Sequence, residues 1–268
     1  MAAHRPTIIL NAVFGPIESY KDDVLTEQII QFGAHTRPEL AFLLSVVRPG
    51  DRIFDLGAHI GTFTIPLAKT IGAEGRLLAV EPEVDNFNLL RRNVLANRLE
   101  DRVILRQALV APVRRRYAPS YVSNNSGATH FAPESGWIYR GSPMAKPVSL
   151  DQLSEQYFVP DIVKMDIEGA EMWAIDQSQV FRSQQPILYA EISDKQLQRF
   201  GASVQQLDTL LRSLGYRFFK NVGPRNAAND RFAAAELSSL MSGGAFFDVL
   251  SLPADHPRLE SVPNRPLD

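Results

Sequence analysis

Asp55-Leu56-Gly57-Ala58-His59-Ile60-Gly61-Thr62-Phe63-Thr64 is the stretch on which the reading of this chain turns. It follows a short apolar run, residues 52–56, and opens a helical pattern over residues 62–71 that stops at Gly72. Gly57 allows a sharp turn straight after the strand. Gly61 lets a ligand approach the helix start, where free N–H groups and the helix dipole favour negative or polar groups. Asp55 at the strand end would repel a phosphate. It suits a ligand that carries an ammonium group.

Working outward, the next strand, residues 76–80, ends in Glu81-Pro82. Glu81 lies 20 residues past Gly61, where nucleotide folds place the acid that binds a ribose. A glycine turn plus this acid indicates a nucleoside-bearing cofactor, against the alternative of a plain strand-to-helix turn. Asp55 and the absence of GxGxxG spacing favour S-adenosyl-L-methionine over NAD, because its amino-acid part has an ammonium group and its carboxylate can face the helix start. The expected cofactor set is Asp55, Gly57, Ala58, Gly61 and Thr64 in the first loop, Glu81, Pro82 and Asn86 after the second strand, Gln107 and Ala108 after the third, and Asp166.

A β–α rhythm continues on both sides. Helical patterns cover residues 22–32, 38–47, 84–97, 170–176 and 204–214; strands are expected at 7–14, 103–109, 161–165, 187–192, 216–220 and 246–252. Strands alternating with helices of ~10–15 residues predict an α/β fold, Rossmann-like, with a mostly parallel seven-stranded sheet and helices on both faces. Residues 1–48 read as an N-terminal lead-in with covering helices, and 49–268 as the catalytic domain. Two stretches break the rhythm. Residues 111–147 are expected to form a lid-like insertion, and residues 224–244 a second long loop.

These residues resemble the FkbM family of methyltransferases. The resemblance rests on Asp-Leu-Gly-Ala-His-Ile-Gly at 55–61, Val-Glu-Pro at 80–82, Asn93-Val94-Leu95-Ala96-Asn97, and Lys164-Met165-Asp166-Ile167-Glu168-Gly169-Ala170-Glu171. It covers about residues 33–192, with a weaker match in the tail, and the Lys-x-Asp-x-Glu-Gly-Ala-Glu string is its most specific part. The resemblance implies a class I methyltransferase fold, S-adenosylmethionine as cofactor, and methylation of hydroxyl oxygens on sugars or other natural products. Chains of the family usually carry Asn where this one has His59, which leaves an extra role for His59 open. The acceptor does not carry over, because the family is broad.

In open α/β sheets ligands bind at the carboxyl ends of strands near the switch in strand order. Lys164 and Asp166 alternate along the fourth strand, so both point to one side. Together they could bind a hydroxyl and take its proton; alternatively they form a structural ion pair, with Glu168 and Glu171 as helix N-terminal charges. Glu191, near the end of the fifth strand, reaches the same edge. The expected catalytic set is Asp166, Lys164, His59 and Glu191. Asp166 and Glu191 could hold a divalent cation, but they lack a ligand motif and no metal is expected.

His130 is a further candidate base, with His4, His35 and His256 behind it. Residues 124–130 read as a substrate or cofactor lid or as a solvated loop. Arg114-Arg115-Arg116 reads as solvated surface or as a site for an acidic acceptor. Phe131, Trp137 and Tyr139 either stack on a ring or pin the insertion to the domain.

Composition bounds the rest. The chain has 268 residues, 45% hydrophobic and 22% charged, with a net charge of −2 and no cysteine. There is no broad basic footprint for nucleic acid, and no disulfide framework, cysteine zinc site or thiol nucleophile. The start lacks the apolar run of a signal peptide and no stretch reaches the ~18 apolar residues of a membrane helix. The expectation is a cytoplasmic O-methyltransferase whose partner is a small hydroxyl-bearing acceptor, with neither nucleic acid nor membrane. An NAD-linked oxidoreductase on a Rossmann fold and a non-catalytic cofactor-binding protein are the alternatives.

Overall fold

The computed structural model describes residues 5–113, 117–121, 124–133 and 146–262. Its central sheet is built from β1 (Arg52–Leu56), β2 (Arg76–Val80), β3 (Val103–Arg106), β4 (Ile162–Met165), β5 (Ile187–Ser193), β6 (Tyr216–Asn221), β7 (Ala234–Leu237) and β8 (Phe246–Pro253). Their order across the sheet is β7-β6-β8-β5-β4-β1-β2-β3. The run from β5 to β3 is parallel, while β8 pairs antiparallel with β5 and β6, and β7 antiparallel with β6. This is a Rossmann-like architecture, a mostly parallel α/β sheet with helices on both faces. The chain leaves β1 for β2 on one side and later returns to β4 on the other, so the switch in strand order falls between β1 and β4.

The strands at the centre read as continuous apolar runs because both faces are covered. Ile53, Leu77, Ile162, Ile187 and Tyr189 pack into one apolar cluster; Phe54, Leu78, Val163, Leu188 and Ala190 pack into the other. The first cluster also takes residues from the helices Thr64–Thr70 and Val84–Ala96. The second takes Leu150 and Leu153 of the helix Leu150–Gln156 and Leu207 and Leu211 of the helix Val204–Ser213. Caps set these helices locally. Glu83 accepts the Asn86 N–H at the start of Val84–Ala96, and Ser149 with Gln152 forms a capping box.

Four features differ from the sequence expectations. The sheet has an eighth strand, β7, inside the stretch read as a long loop; Ala-Ala-Glu-Leu alternates too weakly to be seen without its partner β6. The N-terminal strand, expected over residues 7–14, is one arm of an antiparallel hairpin, Thr7–Ala12 with Gly15–Tyr20, and the chain turns at Val13-Phe14. The third strand stops at Arg106, and Leu109–Val110 pairs instead with Pro147–Val148. Within the insertion, Tyr117–Ser120 pairs with His130–Pro133. The first 48 residues cover one face of the sheet: Ile17, Leu25, Ile29, Phe42 and Leu43 belong to the same buried cluster as its strands. Among the described residues no helix is long and apolar enough to cross a membrane.

Candidate active site

A cavity of about 360 Å³ opens at the carboxyl ends of β1, β2 and β4. Of the residues singled out above, Gly57, Ala58, His59, Glu81, Pro82, Asn86, Ala108, Lys164, Asp166 and Glu191 line it; Asp55, Gly61, Thr64 and Gln107 do not. The switch between β1 and β4 brings the two motifs together. Lys164 stands beside Asp55 in the parallel register, and the Asp166 N–H donates to the Leu56 carbonyl at 3.0 Å.

The glycine loop is held by close backbone approach. Gly57 has φ 78°, and a Cβ there would lie 1.8 Å from the Asp166 carbonyl oxygen. Its N–H and that of Ala58 donate to the Val80 carbonyl at 2.9 and 3.0 Å. His59 follows with φ 51°, and its backbone N–H donates to Glu81 Oε2 at 2.8 Å. The other oxygen of Glu81 accepts the Glu83 N–H at 2.9 Å. Among the described residues no cation is paired with Glu81. Burial pushes its carboxyl up to about 7, against the pull of the two N–H donors. A buried, unpaired carboxylate aimed into a cavity suits the two hydroxyls of a ribose. Ala58, Val80, Pro82 and Ala108 form an apolar wall beside it, suited to a base. S-adenosylmethionine fits these residues.

Asp55 does not face that ligand directly. It is fully buried, accepts the Thr64 hydroxyl at 2.6 Å and has Lys164 Nζ at 3.3 Å. The reason is electrostatic: an ammonium from the neighbouring strand already occupies the place expected for a ligand's ammonium. Lys164 also donates to the Gly57 carbonyl at 2.9 Å. Burial would depress its pKa, but Asp55 and Asp166 outweigh burial and hold it above the usual lysine value.

Asp166, Glu168 and Glu191 each bring an oxygen within 4.8 Å of the others. Two of the three are already satisfied. Glu168 takes Arg199 and Gln196, each at 2.9 Å; Glu191 takes Arg225 at 3.1 Å and Gln196 at 3.3 Å. Among the described residues, the Asp166 side chain has only Lys164, at 3.9 Å. Burial raises the Asp166 carboxyl above the aspartate range, with Lys164 and Arg225 opposing. Burial and the neighbouring Asp166 and Asp248 push Glu191 well above its usual value. Glu171 turns away from the cavity and accepts the N–H groups of Ile167 and Gly169, the structural role weighed for it.

Both loop histidines reach the cavity, but burial pushes the His59 ring down to about 4, so it is neutral near pH 7. Its Nε2 lies 2.9 Å from the Ser126 hydroxyl. The insertion does contribute wall: Asn125, Ser126, Gly127, Thr129, His130 and Phe131 line the cavity. Arg114, Arg115, Arg116, Trp137, Tyr139 and His4 lie outside the described residues.

Sequence reasoning missed several lining residues. Gln28 and Thr36 come from the N-terminal segment, and Arg225 from the stretch read as a loop; His35, weighed only as a remote candidate base, also lines the wall. His35 Nδ1 is 2.7 Å from Gln28 Oε1, and burial with Arg225 nearby pushes the ring down to about 3. The one sequence signal for Arg225 was its position after Gly223-Pro224, a loop at the same end of the sheet.

The family model of the methyltransferase FkbM domain matches residues 55–218, more than half of the chain. Its class is therefore that of S-adenosylmethionine-dependent methyltransferases, which act on a methyl acceptor. The chain belongs to the FkbM methyltransferase family. Among curated relatives, the 23S rRNA (uracil(1939)-C(5))-methyltransferase RlmD of Acinetobacter baumannii strain SDF is 30% identical over 91 residues, 34% of this chain. That match spans 18% of the relative's length. Similar solved structures include an S-adenosylmethionine-dependent O-methyltransferase from Thermotoga maritima, 15% identical, covering 94% of this chain and 79% of that one at a TM-score of 0.44. Another is precorrin-6y C5,15-methyltransferase from Geobacter metallireducens, 13% identical, covering 80% and 87% at 0.44.

Proposed function

We propose that this chain methylates a hydroxyl oxygen on a small acceptor, a sugar or another natural product. The observation that carries the reading is the state of Asp166. It faces the cavity beside two carboxylates that are each neutralised by an arginine, yet among the described residues its own side chain has no partner nearer than Lys164 at 3.9 Å. A carboxylate with a raised pKa and a free oxygen is equipped to accept a hydroxyl proton.

When bound, S-adenosylmethionine supplies an electrophilic methyl group on a sulfonium. Glu81 holds the ribose and the glycine loop the amino-acid end. Asp166 takes the hydroxyl proton as the oxygen attacks, and Lys164 steadies the carboxylate before and after. Holding the reacting atoms in line can itself lower the barrier by ~7–11 kcal/mol. Glu191, bound by Arg225 and Gln196, orients the acceptor. The acid-rich cavity and the net charge of −2 disfavour a polyanion, so a nucleic-acid substrate is not part of the reading.

The test is transfer of labelled methyl from S-adenosylmethionine to a panel of sugars, glycosides and hydroxylated natural products, with ribosomal RNA alongside. Label in an ether linkage supports the proposal. Label in RNA alone overturns it, and cofactor binding with no transfer to any member would point to a non-catalytic role.

A further inference from the structure

Three segments distant in sequence meet at one side chain above the cofactor loop. Ser126 sits in the insertion and is buried. Its hydroxyl is 2.9 Å from His59 Nε2, and its backbone N–H donates to Asp23 Oδ2 at 2.8 Å. Asp23 also caps the helix Val24–Phe32, accepting the Leu25 N–H at 3.1 Å, and pairs with Arg5 at 3.1 Å. Two residues earlier in the insertion, the Asn124 carbonyl accepts the Val24 N–H at 3.2 Å. The chain of contacts ends at the cofactor acid, because the backbone N–H of His59 donates to Glu81.

We infer that Ser126 is a positioning residue for the cofactor: with His59 and Asp23 it latches residues 124–131 over the Glu81 end of the cavity, so that the cofactor product leaves only when this latch opens. The inference rests on the S-adenosylmethionine site described above.

Three observations support it. First, residues 125–127 and 129–131 line the same cavity as Glu81, so this segment is a wall of the site and not a distant ornament. Second, the segment is tied down at both sides of the opening: to the N-terminal helix through Asp23 and Val24, and to the glycine loop through His59. Third, His59 holds a left-handed backbone, φ 51°, which is uncommon for a residue with a side chain. That conformation directs its N–H to Glu81 while its ring reaches Ser126, so one residue carries both ends of the link. Loops that close over a ligand commonly set the rate of product release. Here the fastening is the Ser126 hydroxyl against the His59 ring and the Ser126 N–H against the Asp23 carboxylate.

The experiment uses the full chain and S-adenosylhomocysteine as probe, so no acceptor is needed. Labelled S-adenosylhomocysteine is chased with unlabelled ligand to give the dissociation rate, and amide hydrogen exchange is followed over residues 124–131. Ser126→Ala should release the ligand about 10-fold faster, the factor expected for losing one hydrogen bond of ordinary net strength. Exchange in 124–131 should rise with it, and Ser126→Thr should restore both. Asp23→Asn, which keeps the helix cap and weakens the tie, should fall between, and its effect should not add to that of Ser126→Ala. Unchanged release in a folded Ser126→Ala protein overturns the latch. So does faster release with unchanged exchange, which would mean that Ser126 touches the ligand directly. Failure of the unaltered protein to bind S-adenosylhomocysteine is a different result and would remove the cofactor assignment instead.

Discussion

Asp166 and Glu81 divide the work at the level of single residues, and their substitutions should separate cleanly. Once the acceptor panel has yielded a substrate, Asp166→Asn should lower kcat by ~10²–10⁴-fold, the usual share of a general base. S-adenosylhomocysteine affinity, read by calorimetry, should stay within a few-fold. A rise in KM at constant kcat would instead make Asp166 an acceptor-binding group. Glu81→Ala should weaken S-adenosylhomocysteine by ~1–3 kcal/mol, the loss expected for hydrogen bonds to a charged group. Glu81 also predicts a pH dependence. Its carboxyl stands at about 7 in the folded protein, and the ribose hydroxyls favour the ionised form. Affinity should therefore be greatest above this pH and fall as the pH drops through it. The stability of the free protein has the opposite sign. The folded pKa is raised from 4.5 to about 7, so the stability that Glu81 contributes in its protonated form is present at low pH and lost as the pH rises through that window. A flat S-adenosylhomocysteine affinity between about pH 6 and 8 would show that Glu81 does not hold the ribose.

At the level of elements, the pairing of β5 with β8 sets a problem that a loop solves. Glu191 and Asp248 are direct partners in the antiparallel register. Like charges opposite each other destabilise a strand pair. Arg225, on the connection between β6 and β7, reaches both, 3.1 Å from Glu191 and 2.8 Å from Asp248, and its guanidinium stacks on the Phe246 ring at 4.7 Å. Arg225→Gln leaves two partly buried carboxylates without their cation. The expected destabilisation lies at the lower end of the ~3–5 kcal/mol seen when a buried pair is broken, because the guanidinium is partly solvated. Adding Asp248→Asn to Arg225→Gln should recover part of it; strictly additive losses in denaturant melts would show that the three side chains are not coupled. The turn after β1 is equally constrained. Gly57→Ala would drive a methyl group into the Asp166 carbonyl and separate β1 from β4, so both the melting temperature and cofactor binding should fall. The site motifs of β1, β2 and β4 were legible in the sequence because each lies within one turn of a strand end, where residue order alone sets which groups emerge together. Arg225 was not legible, since its meaning depends on a strand register between residues far apart in the chain.

For the molecule as a whole, the cofactor is expected to be a measurable part of the stability. A ligand that binds only the folded chain at ~100 times its Kd stabilises it by ~2.7 kcal/mol. For a chain of this size that corresponds to a rise of ~5–10 °C in Tm. S-adenosylhomocysteine should produce such a shift in scanning fluorimetry and NAD should not. The N-terminal 48 residues should share the same single transition, because they contribute to the buried cluster on one face of the sheet and also supply Gln28, His35 and Thr36 to the cavity. A separate early transition for that segment, seen by hydrogen exchange, would contradict this.

The sequence by itself determined the alternation of strands and helices, the glycine turn after β1, the acid after β2 and the Lys164–Asp166 pair on β4. All of these follow from local rules: hydrophobic period, backbone freedom at glycine and the direction of neighbouring side chains. Only the tertiary structure decided which charges meet. Asp55 reads in sequence as a ligand carboxylate, yet the parallel register of β1 with β4 sets Lys164 against it. Glu191 reads as a free acid at a strand end, yet Arg225 and Gln196 occupy it. The edge strand β7 exists only because β6 offers it hydrogen bonds, and the tie from Asp23 through Ser126 to His59 joins three segments that no local pattern connects. The physical reason is common to all of them. Hydrogen-bond pairing and charge neutralisation are satisfied by whichever groups the packed sheet brings within about 3 Å, and that neighbourhood is a property of strand order and register rather than of position along the chain.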